Sequence, residues 1–160
     1  MKIVIMFLSG VLLLTVCSPG MCASLTVAED APFRKDGNLS FLRSDGNLIV
    51  SIDIEIAETP EMTKRGLMGR RSLDHLSGML FLFRRVKPRR FWMHNTPLSL
   101  DIIFIGEDSC VLNIVRGARP MSDKLHHSKG PVKYVVEVRA GFCERHGIQK
   151  GHCITWQKLT

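Results

Sequence analysis

Hydrophobic and polar residues alternate along residues 48–57, which read LIVSIDIEIA. The apolar positions on one side of an extended chain are Leu48, Val50, Ile52, Ile54 and Ile56, and the polar positions on the other are Ser51, Asp53 and Glu55. A period of two predicts a half-buried β-strand. The turn-forming residues 44–47, SDGN, precede it and mark where the strand begins.

The pattern changes after residue 58 and indicates a short helix. Thr59 can cap the helix, Pro60 suits its first position, and Glu61 complements the positive end of the helix dipole. The segment continues through Met68. A short helix is therefore expected to follow the first strong strand.

Six further apolar segments are separated by turn signals and predict additional short strands. They span residues 78–83, 91–93, 98–105, 110–116, 132–139 and 153–157. Seven or eight short strands with one or two short helices indicate a mostly β fold, either a β-sandwich or a barrel.

The first 23 residues have the pattern of a secretory signal peptide. One basic residue, Lys2, precedes an uncharged apolar run from Ile3 to Val16, which is shorter than the roughly 20 residues of a membrane-spanning helix. We therefore expect an exported protein, periplasmic or extracellular, with no transmembrane segment in its mature chain. A lipid anchor on Cys17 is the less favoured alternative, because Val16 stands where a lipobox has a small residue. Residues 24–38 are expected to form a flexible lead-in, and residues 39–160 a single domain.

The chain is basic, and one segment concentrates the charge. Its 160 residues carry a net charge of +7, and loss of Lys2 with the signal leaves 21 basic and 15 acidic side chains, or +6. Five cations lie within residues 84–90: Arg84, Arg85, Lys87, Arg89 and Arg90. They predict a solvated loop or a contact with an anionic envelope component or small molecule. No nucleic-acid motif accompanies them, and we expect a monomer that does not bind nucleic acid.

Three cysteines remain after residue 23: Cys110, Cys143 and Cys153. In an oxidising compartment the odd number allows one internal disulfide, and the short loop between Cys143 and Cys153 favours that pair. The alternative is that all three are small buried apolar residues.

Two groups of residues raise the question of a metal. The soft or borderline ligands Met62, Met68, Met79, Met93 and His94 suggest copper, if the fold brings them together. The second group, Cys143, His146, His152 and Cys153, matches no standard zinc spacing. We expect neither a metal nor another cofactor.

Two carboxylates interrupt apolar strand segments. Asp101 lies in LDIIF and Glu137 lies in YVVEV. A buried carboxylate must be paired, hydrogen-bonded or exposed to a cleft. Asp101 is thus either a structural acceptor, bonded to loop amides or paired with Arg65, or part of a binding site.

Several short motifs occur in order along residues 48–157. They include Arg65-Gly66-Leu67-Met68, Gly78-Met79-Leu80-Phe81, Phe91-Trp92-Met93, Asn95-Thr96-Pro97, Leu100-Asp101-Ile102-Ile103-Phe104, Val135-Val136-Glu137 and Ala140-Gly141. This succession resembles the domain of unknown function family 192 (DUF192). The resemblance implies a compact, jelly-roll-like β domain, often exported, with no established activity. The chain departs from the family pattern at His94, where Lys is common, and at His152, where Asp is usual.

The sequence favours a small-ligand or envelope-component binding domain over the other classes of protein. The predicted site comprises Arg65, Trp92, Asn95, Thr96, Asp101 and Glu137. One alternative is an enzyme that acts on an envelope saccharide through Asp101 and Glu137. The other is a structural or interaction protein with no small-molecule site. Familiar hydrolase and phosphate-binding motifs are missing, so the sequence assigns no reaction.

Overall fold

The structure is a computed structural model that describes residues 32–159. It contains nine strands and two short helices, in the order β1 (Gly37–Leu42), β2 (Leu48–Ala57), α1 (Pro60–Arg65), β3 (Ser77–Lys87), β4 (Arg90–Phe91), β5 (Leu100–Ile105), β6 (Val111–Ala118), β7 (His126–His127), β8 (Val132–Arg139), α2 (Phe142–Arg145) and β9 (Cys153–Lys158). The predicted signal peptide, its cleavage site and Cys17 lie outside the described residues.

Seven strands form one mixed sheet in the order β6-β5-β8-β3-β2-β1-β9, and β4 pairs with β7 in a separate ribbon. The pairs are antiparallel except for β2 with β3. Parallel neighbours need a crossover connection, and here the crossover contains α1. Thr59 caps this helix as predicted, because its hydroxyl accepts a hydrogen bond from the Met62 amide at 3.2 Å.

The sheet carries a hydrophobic core on each face. The first core includes Phe41, Ile54, Leu80, Val136 and Phe142, and the second includes Phe81, Met93, Ile102, Phe104 and Val135. All six residues of β5 are buried, because both of its faces are covered. Alternating side chains of the central strands therefore enter different cores, and a polar residue in these strands has to be accommodated on one face or the other.

The two edge strands of the sheet meet at one corner. The Val111 amide donates to the His152 carbonyl at 2.7 Å, and the Ile154 amide donates to the Ser109 carbonyl at 2.8 Å. A disulfide joins Cys110 to Cys153 at the same corner. In the described chain this contact is confined to the beginnings of β6 and β9, so the sheet is curled without being a closed barrel.

The predicted disulfide between Cys143 and Cys153 is wrong. Cys143 is a free, buried cysteine of α2, within the first core. Cys153 is bonded instead to Cys110, which lies 43 positions earlier in the chain. The short loop favoured Cys143, but the curling of the sheet brings the distant cysteine next to Cys153 instead.

The mostly β fold is confirmed, and the principal strands appear where the alternating and apolar segments predict them. The segment 48–57 is β2, and the segment 132–139 is β8. Three elements were not predicted: β1, β7 and α2. The domain was expected to start at Leu39, but the sheet begins earlier. Gly37 is already in β1, and the Asp36 amide donates to the Ile54 carbonyl at 2.9 Å. Within residues 32–159 no helix has the length and apolar character needed to cross a membrane.

We expect removal of the disulfide by the double substitution Cys110→Ala, Cys153→Ala to lower the free energy of unfolding by about 2 to 4 kcal/mol, because the bond restricts the unfolded chain. Urea unfolding with and without dithiothreitol measures this difference. Reductant should destabilise the wild type and leave the double variant unchanged. Peptide mapping that finds Cys143 bonded to Cys153 would contradict the observed pairing.

Candidate ligand-binding site

Glu137 lies near the middle of the sheet with its side chain on the second-core face. It is opposite Met79 of β3 and Ile102 of β5. The residue is 4% exposed, and its carboxyl group has no hydrogen-bond or ion-pair partner within the described chain. Burial alone raises the pKa of Glu137 from 4.5 to about 8, because the charged form loses its hydration. Glu137 is therefore mostly protonated at neutral pH.

The other two buried carboxylates have partners. Glu55 accepts hydrogen bonds from the Arg34 amide and the Arg70 guanidinium, both at 2.8 Å. Asp101 accepts hydrogen bonds from the Gly117 and Cys143 amides, both at 2.9 Å. Asp101 thus ties β6 and the start of α2 to β5, which is the structural role that the sequence left open.

Asp101 and Glu137 lie on opposite faces of the sheet. Asp101 is opposite Val138 in the β5–β8 ladder, and Ile102 is opposite Glu137. Side chains directly opposite each other share a face, and consecutive residues alternate. The predicted acid/base pair across one cleft is therefore wrong, and Asp101 does not belong to the site around Glu137.

A small cavity of about 40 Å³ lies against Glu137. Its lining includes four of the six predicted site residues: Arg65, Trp92, Thr96 and Glu137. Arg65 comes from the end of α1, while Trp92 and Thr96 come from the segment after β4. The fold thus brings together residues from three separate parts of the chain.

Gly66 permits the close passage of the chain over Glu137. It ends α1 with a φ of 47°, in the left-handed region that favours glycine. A Cβ atom at this position would lie 3.3 Å from the Phe81 ring and 4.0 Å from Oε2 of Glu137. Gly66 was not among the predicted site residues, although a glycine after a short helix is a common C-terminal signal.

Trp92 and Thr96 differ in exposure. Trp92 is 46% exposed, and its ring stacks on His94 with centroids 5.0 Å apart. Thr96 is buried, and its hydroxyl donates to the His94 carbonyl at 3.1 Å. The cleft therefore has an open aromatic surface beside a closed polar wall.

Asn95 does not line the cavity. It is exposed and has a φ of 50°, and its carbonyl accepts a hydrogen bond from the Gly69 amide at 2.7 Å. This bond connects the segment after α1 to the segment after β4. Asn95 supports the shape of the cleft through its backbone.

A larger cavity of about 330 Å³ shares Arg65, Gly66 and Met68 with the small one. Met62 and Met79 also line it, so three of the methionines considered as metal ligands lie around one space. The five residues of that group do not converge, because Met93 is fully buried in the second core and His94 bonds Asp123 at 2.8 Å. Methionine side chains of this kind also give a wall that adapts to an apolar ligand.

The second candidate metal group is not assembled. Cys153 is in the disulfide, and Cys143 is buried in the first core. Among residues 32–159 no cluster of three or more His, Cys, Asp or Glu side chains has the geometry to hold a metal ion.

Comparison with known proteins identifies the family. The family model described as "DUF192: Uncharacterized ACR, COG1430" matches residues 41–156. The chain belongs to the DUF192 family. A search of curated proteins found no match for this DUF192 chain.

Two crystal structures resemble this DUF192 domain. A "putative transcription regulator" from Sinorhizobium meliloti 1021 is 31% identical, with a TM-score of 0.73, over 80% of this chain and 98% of that chain. A protein of unknown function from Novosphingobium aromaticivorans DSM 12444 is 34% identical, with a TM-score of 0.70, over 74% of this chain and 84% of that chain. The family and the fold are thus shown, and no specific activity or ligand comes with them.

Replacement of Asp101 by Asn should lower the free energy of unfolding by about 2 to 4 kcal/mol, because the amide cannot accept both hydrogen bonds and sets a donor against a buried N–H group. Urea unfolding of the protein measures the loss. Asp123→Asn, which removes an exposed partner of His94, serves as the control and should change stability by less than about 1 kcal/mol. A stable Asp101→Asn variant would contradict the structural role.

Replacement of Glu137 by Gln should make stability less dependent on pH. In the wild type the folded state keeps a proton that the unfolded state releases above its pKa of 4.5, since the folded pKa is about 8. Stability should therefore fall as pH rises between these values, by at most about 1.4 kcal/mol per pH unit. The variant lacks this loss, so its stability relative to wild type should increase from pH 5 to pH 8 in urea unfolding.

The exposed carboxylate Glu144 gives the matched control, Glu144→Gln. The stability of the Glu144→Gln variant relative to wild type should stay constant over the same pH range. A constant difference for Glu137→Gln as well would show that Glu137 is ionised in the folded protein at neutral pH.

Proposed function

We propose that this DUF192 domain binds a small ligand that places a hydroxyl group against Glu137. The observation that carries the proposal is the carboxyl group of Glu137, which is buried at the base of a cleft and has no partner among residues 32–159. A buried polar group without a partner has a free-energy cost. A ligand that supplies the missing hydrogen bonds removes that cost.

The chemistry of the cleft favours a neutral, hydroxyl-bearing ligand. A protonated carboxyl group both donates and accepts hydrogen bonds, and a hydroxyl group does the same. The cavity of about 40 Å³ against Glu137 has room for about one water-sized group. The ligand therefore inserts a single hydroxyl there, and the rest of it stays outside this cavity.

The mouth of the cleft favours a ring with an apolar face. Trp92 presents an exposed aromatic surface, and Arg65 lines the same cavity with donors for further oxygen atoms. Trp side chains combine an apolar body with one polar group, which suits ligands that have both kinds of surface. A saccharide has these properties, and we assign the ligand to that class.

The two alternative functions are less well supported. An enzyme that uses Asp101 with Glu137 does not fit their placement on opposite faces of the sheet. A purely structural role would be favoured if both carboxylates were bonded to backbone and closed to solvent. Asp101 meets that description, but Glu137 does not, since its carboxyl group faces a cavity and has no partner in the described chain.

Export remains part of the proposal. The apolar N-terminal segment supports it, and so does the disulfide between Cys110 and Cys153, since such bonds persist in oxidising compartments. An envelope saccharide is the form of the ligand that an exported domain would meet.

The test is an NMR titration of the mature domain with N,N′-diacetylchitobiose and cellobiose. We expect saturable shifts of the amides around Gly66, Trp92 and Glu137. Trp92→Ala should weaken binding about tenfold, as truncation of an aromatic contact residue often does. Glu137→Leu should abolish binding, while Glu137→Gln, which keeps a donor and an acceptor, should retain affinity to within about threefold.

The control is Leu159→Ala, which truncates a side chain that is 52% exposed near the end of the chain. It should bind like the wild type. If neither disaccharide shifts the cleft amides, the saccharide assignment is wrong. If Glu137→Leu binds as tightly as wild type, the cleft does not use Glu137.

A further inference from the structure

A groove larger than both cavities described above lies between α1 and the basic segment, residues 84–90. It has a volume of about 580 Å³, within the usual range of roughly 300 to 1,000 Å³ for small-molecule sites. Pro60, Leu82 and Phe83 give it apolar walls. Thr63 and Lys64 of α1 line both this groove and the small cavity against Glu137, so the two spaces adjoin the same part of one helix.

Four of the five predicted contact cations line the groove. Arg84, Arg85, Lys87 and Arg89 do so, and Arg90 does not. Lys64 from α1 adds a fifth cation from another part of the chain. The predicted loop is wrong for most of this segment, since Arg84, Arg85 and Lys87 lie in β3, which continues to Lys87. The tertiary structure adds a helix lysine and an apolar wall to these cations.

The positive charge in the groove is not neutralised within the described chain. Lys64, Arg84, Arg85 and Lys87 have no acidic partner among residues 32–159. The one carboxylate in the lining, Glu58, is bonded to Lys158 at 2.8 Å. An anion that enters the groove therefore meets cations that are free to bind it.

Arg89 is fixed in position at the apolar wall. Its guanidinium lies 3.8 Å from the Phe83 ring centroid and donates to the Arg85 carbonyl at 2.8 Å. Its backbone amide donates to the Ser128 hydroxyl at 2.9 Å, and its buried Nε has no hydrogen-bond partner in the part of the chain that the structure describes. One cation of the groove is thus held in place and partly desolvated, which strengthens its attraction for an anion.

The apolar surface extends beyond the cations. An adjoining cavity of about 440 Å³ shares Leu82, Phe83 and Arg84 with the groove. It adds Tyr134 and Trp156, which pack at the margin of the first core. The groove and this adjoining cavity together form one trough. It has a positively charged section followed by a section with two aromatic side chains.

We propose that this trough binds a single-chain anionic amphiphile, with its anionic head among Lys64, Arg85 and Arg89 and its apolar chain along Leu82, Phe83 and Trp156. The charged section fits a phosphate or carboxylate, and the aromatic section fits a hydrocarbon chain. The trough adjoins the saccharide cleft at Thr63 and Lys64, but Glu137 lines only the cleft, so the amphiphile does not depend on Glu137.

The experiment uses Trp156 as a reporter in the Trp92→Phe variant, which leaves one tryptophan in the chain. Octyl phosphate, titrated below its micelle-forming concentration, should change the Trp156 emission saturably. Inorganic phosphate, which has only the head, should bind at least about tenfold more weakly, since the chain buries apolar area. Octyltrimethylammonium, which has the opposite charge, should give no saturable change.

Matched charge variants test the position of the head. Lys64→Gln with Arg85→Gln should weaken octyl phosphate binding about tenfold, through the loss of two charge contacts. Arg90→Gln with Lys129→Gln removes the same charge from exposed positions outside the groove and should change affinity less than about twofold. Circular dichroism confirms that both pairs fold.

Three outcomes would overturn the proposal. Equal losses in the two pairs would show non-specific attraction to a basic surface. Inorganic phosphate that binds as tightly as octyl phosphate would show that the apolar section is not used. Binding to phosphatidylglycerol vesicles without binding of the monomeric amphiphile would assign the cations to a membrane surface.

Discussion

The antiparallel pairing of β3 with β8 joins the two halves of the sheet, and the arrangement of the site depends on it. Strands β5 and β6 continue the sheet on the β8 side, and β2, β1 and β9 continue it on the β3 side. The strands approach closely at Gly78, where a Cβ atom would lie 2.8 Å from the Glu137 carbonyl oxygen. The same register places Met79 opposite Glu137. A slip of one residue would turn Glu137 to the other face, because the side-chain period of a strand is two.

The three buried carboxylates show how differently one sheet treats the same chemical group. Glu55 forms an ion pair with Arg70, and Asp101 accepts hydrogen bonds from two backbone amides. Both therefore contribute to holding the fold together. Glu137 has neither an ion pair nor an amide hydrogen bond within the described chain, and burial raises its pKa to about 8. A group that is kept at a cost to stability, inside a cleft, is a stronger indication of function than a group that stabilises the fold.

The short helix α1 connects the two candidate sites. It has six residues, none of them buried, and it lies in the crossover between the parallel strands β2 and β3. Its end leads through Gly66 over Glu137, while Thr63 and Lys64 also line the basic groove. A helix with so little buried surface is held mainly by the segments on either side of it, such as the buried Leu67. The position of this crossover therefore shapes both spaces.

Much of the fold was accessible from sequence, because it depends on local patterns. Alternation located β2, an apolar segment between turn signals located β8, and the Thr59-Pro60 signal located α1. The elements β7 and α2 were missed, since two to four residues give too weak a periodic signal. Strand β1 was missed because its first residues were assigned to the flexible lead-in. Of the six residues that the sequence selected for a site, Arg65, Trp92, Thr96 and Glu137 line one cavity. The sequence could not show that Asp101 lies on the opposite face of the sheet from Glu137. Alternation within one strand does not fix the register with the neighbouring strand, and the register decides which residues of the two strands share a face.

The order of residues alone determined a basic, mostly β domain whose motifs resemble DUF192 and whose apolar strands contain two carboxylates. The tertiary structure alone decided which carboxylate has partners, which cysteines are bonded and which cations share a groove with apolar walls. A strand can be predicted from the apolar residues at every second position of one segment. Strand register and the curling of the sheet, by contrast, bring together residues that are distant in the chain. Cys110 and Cys153 meet for that reason, and so do Gly66 and Glu137.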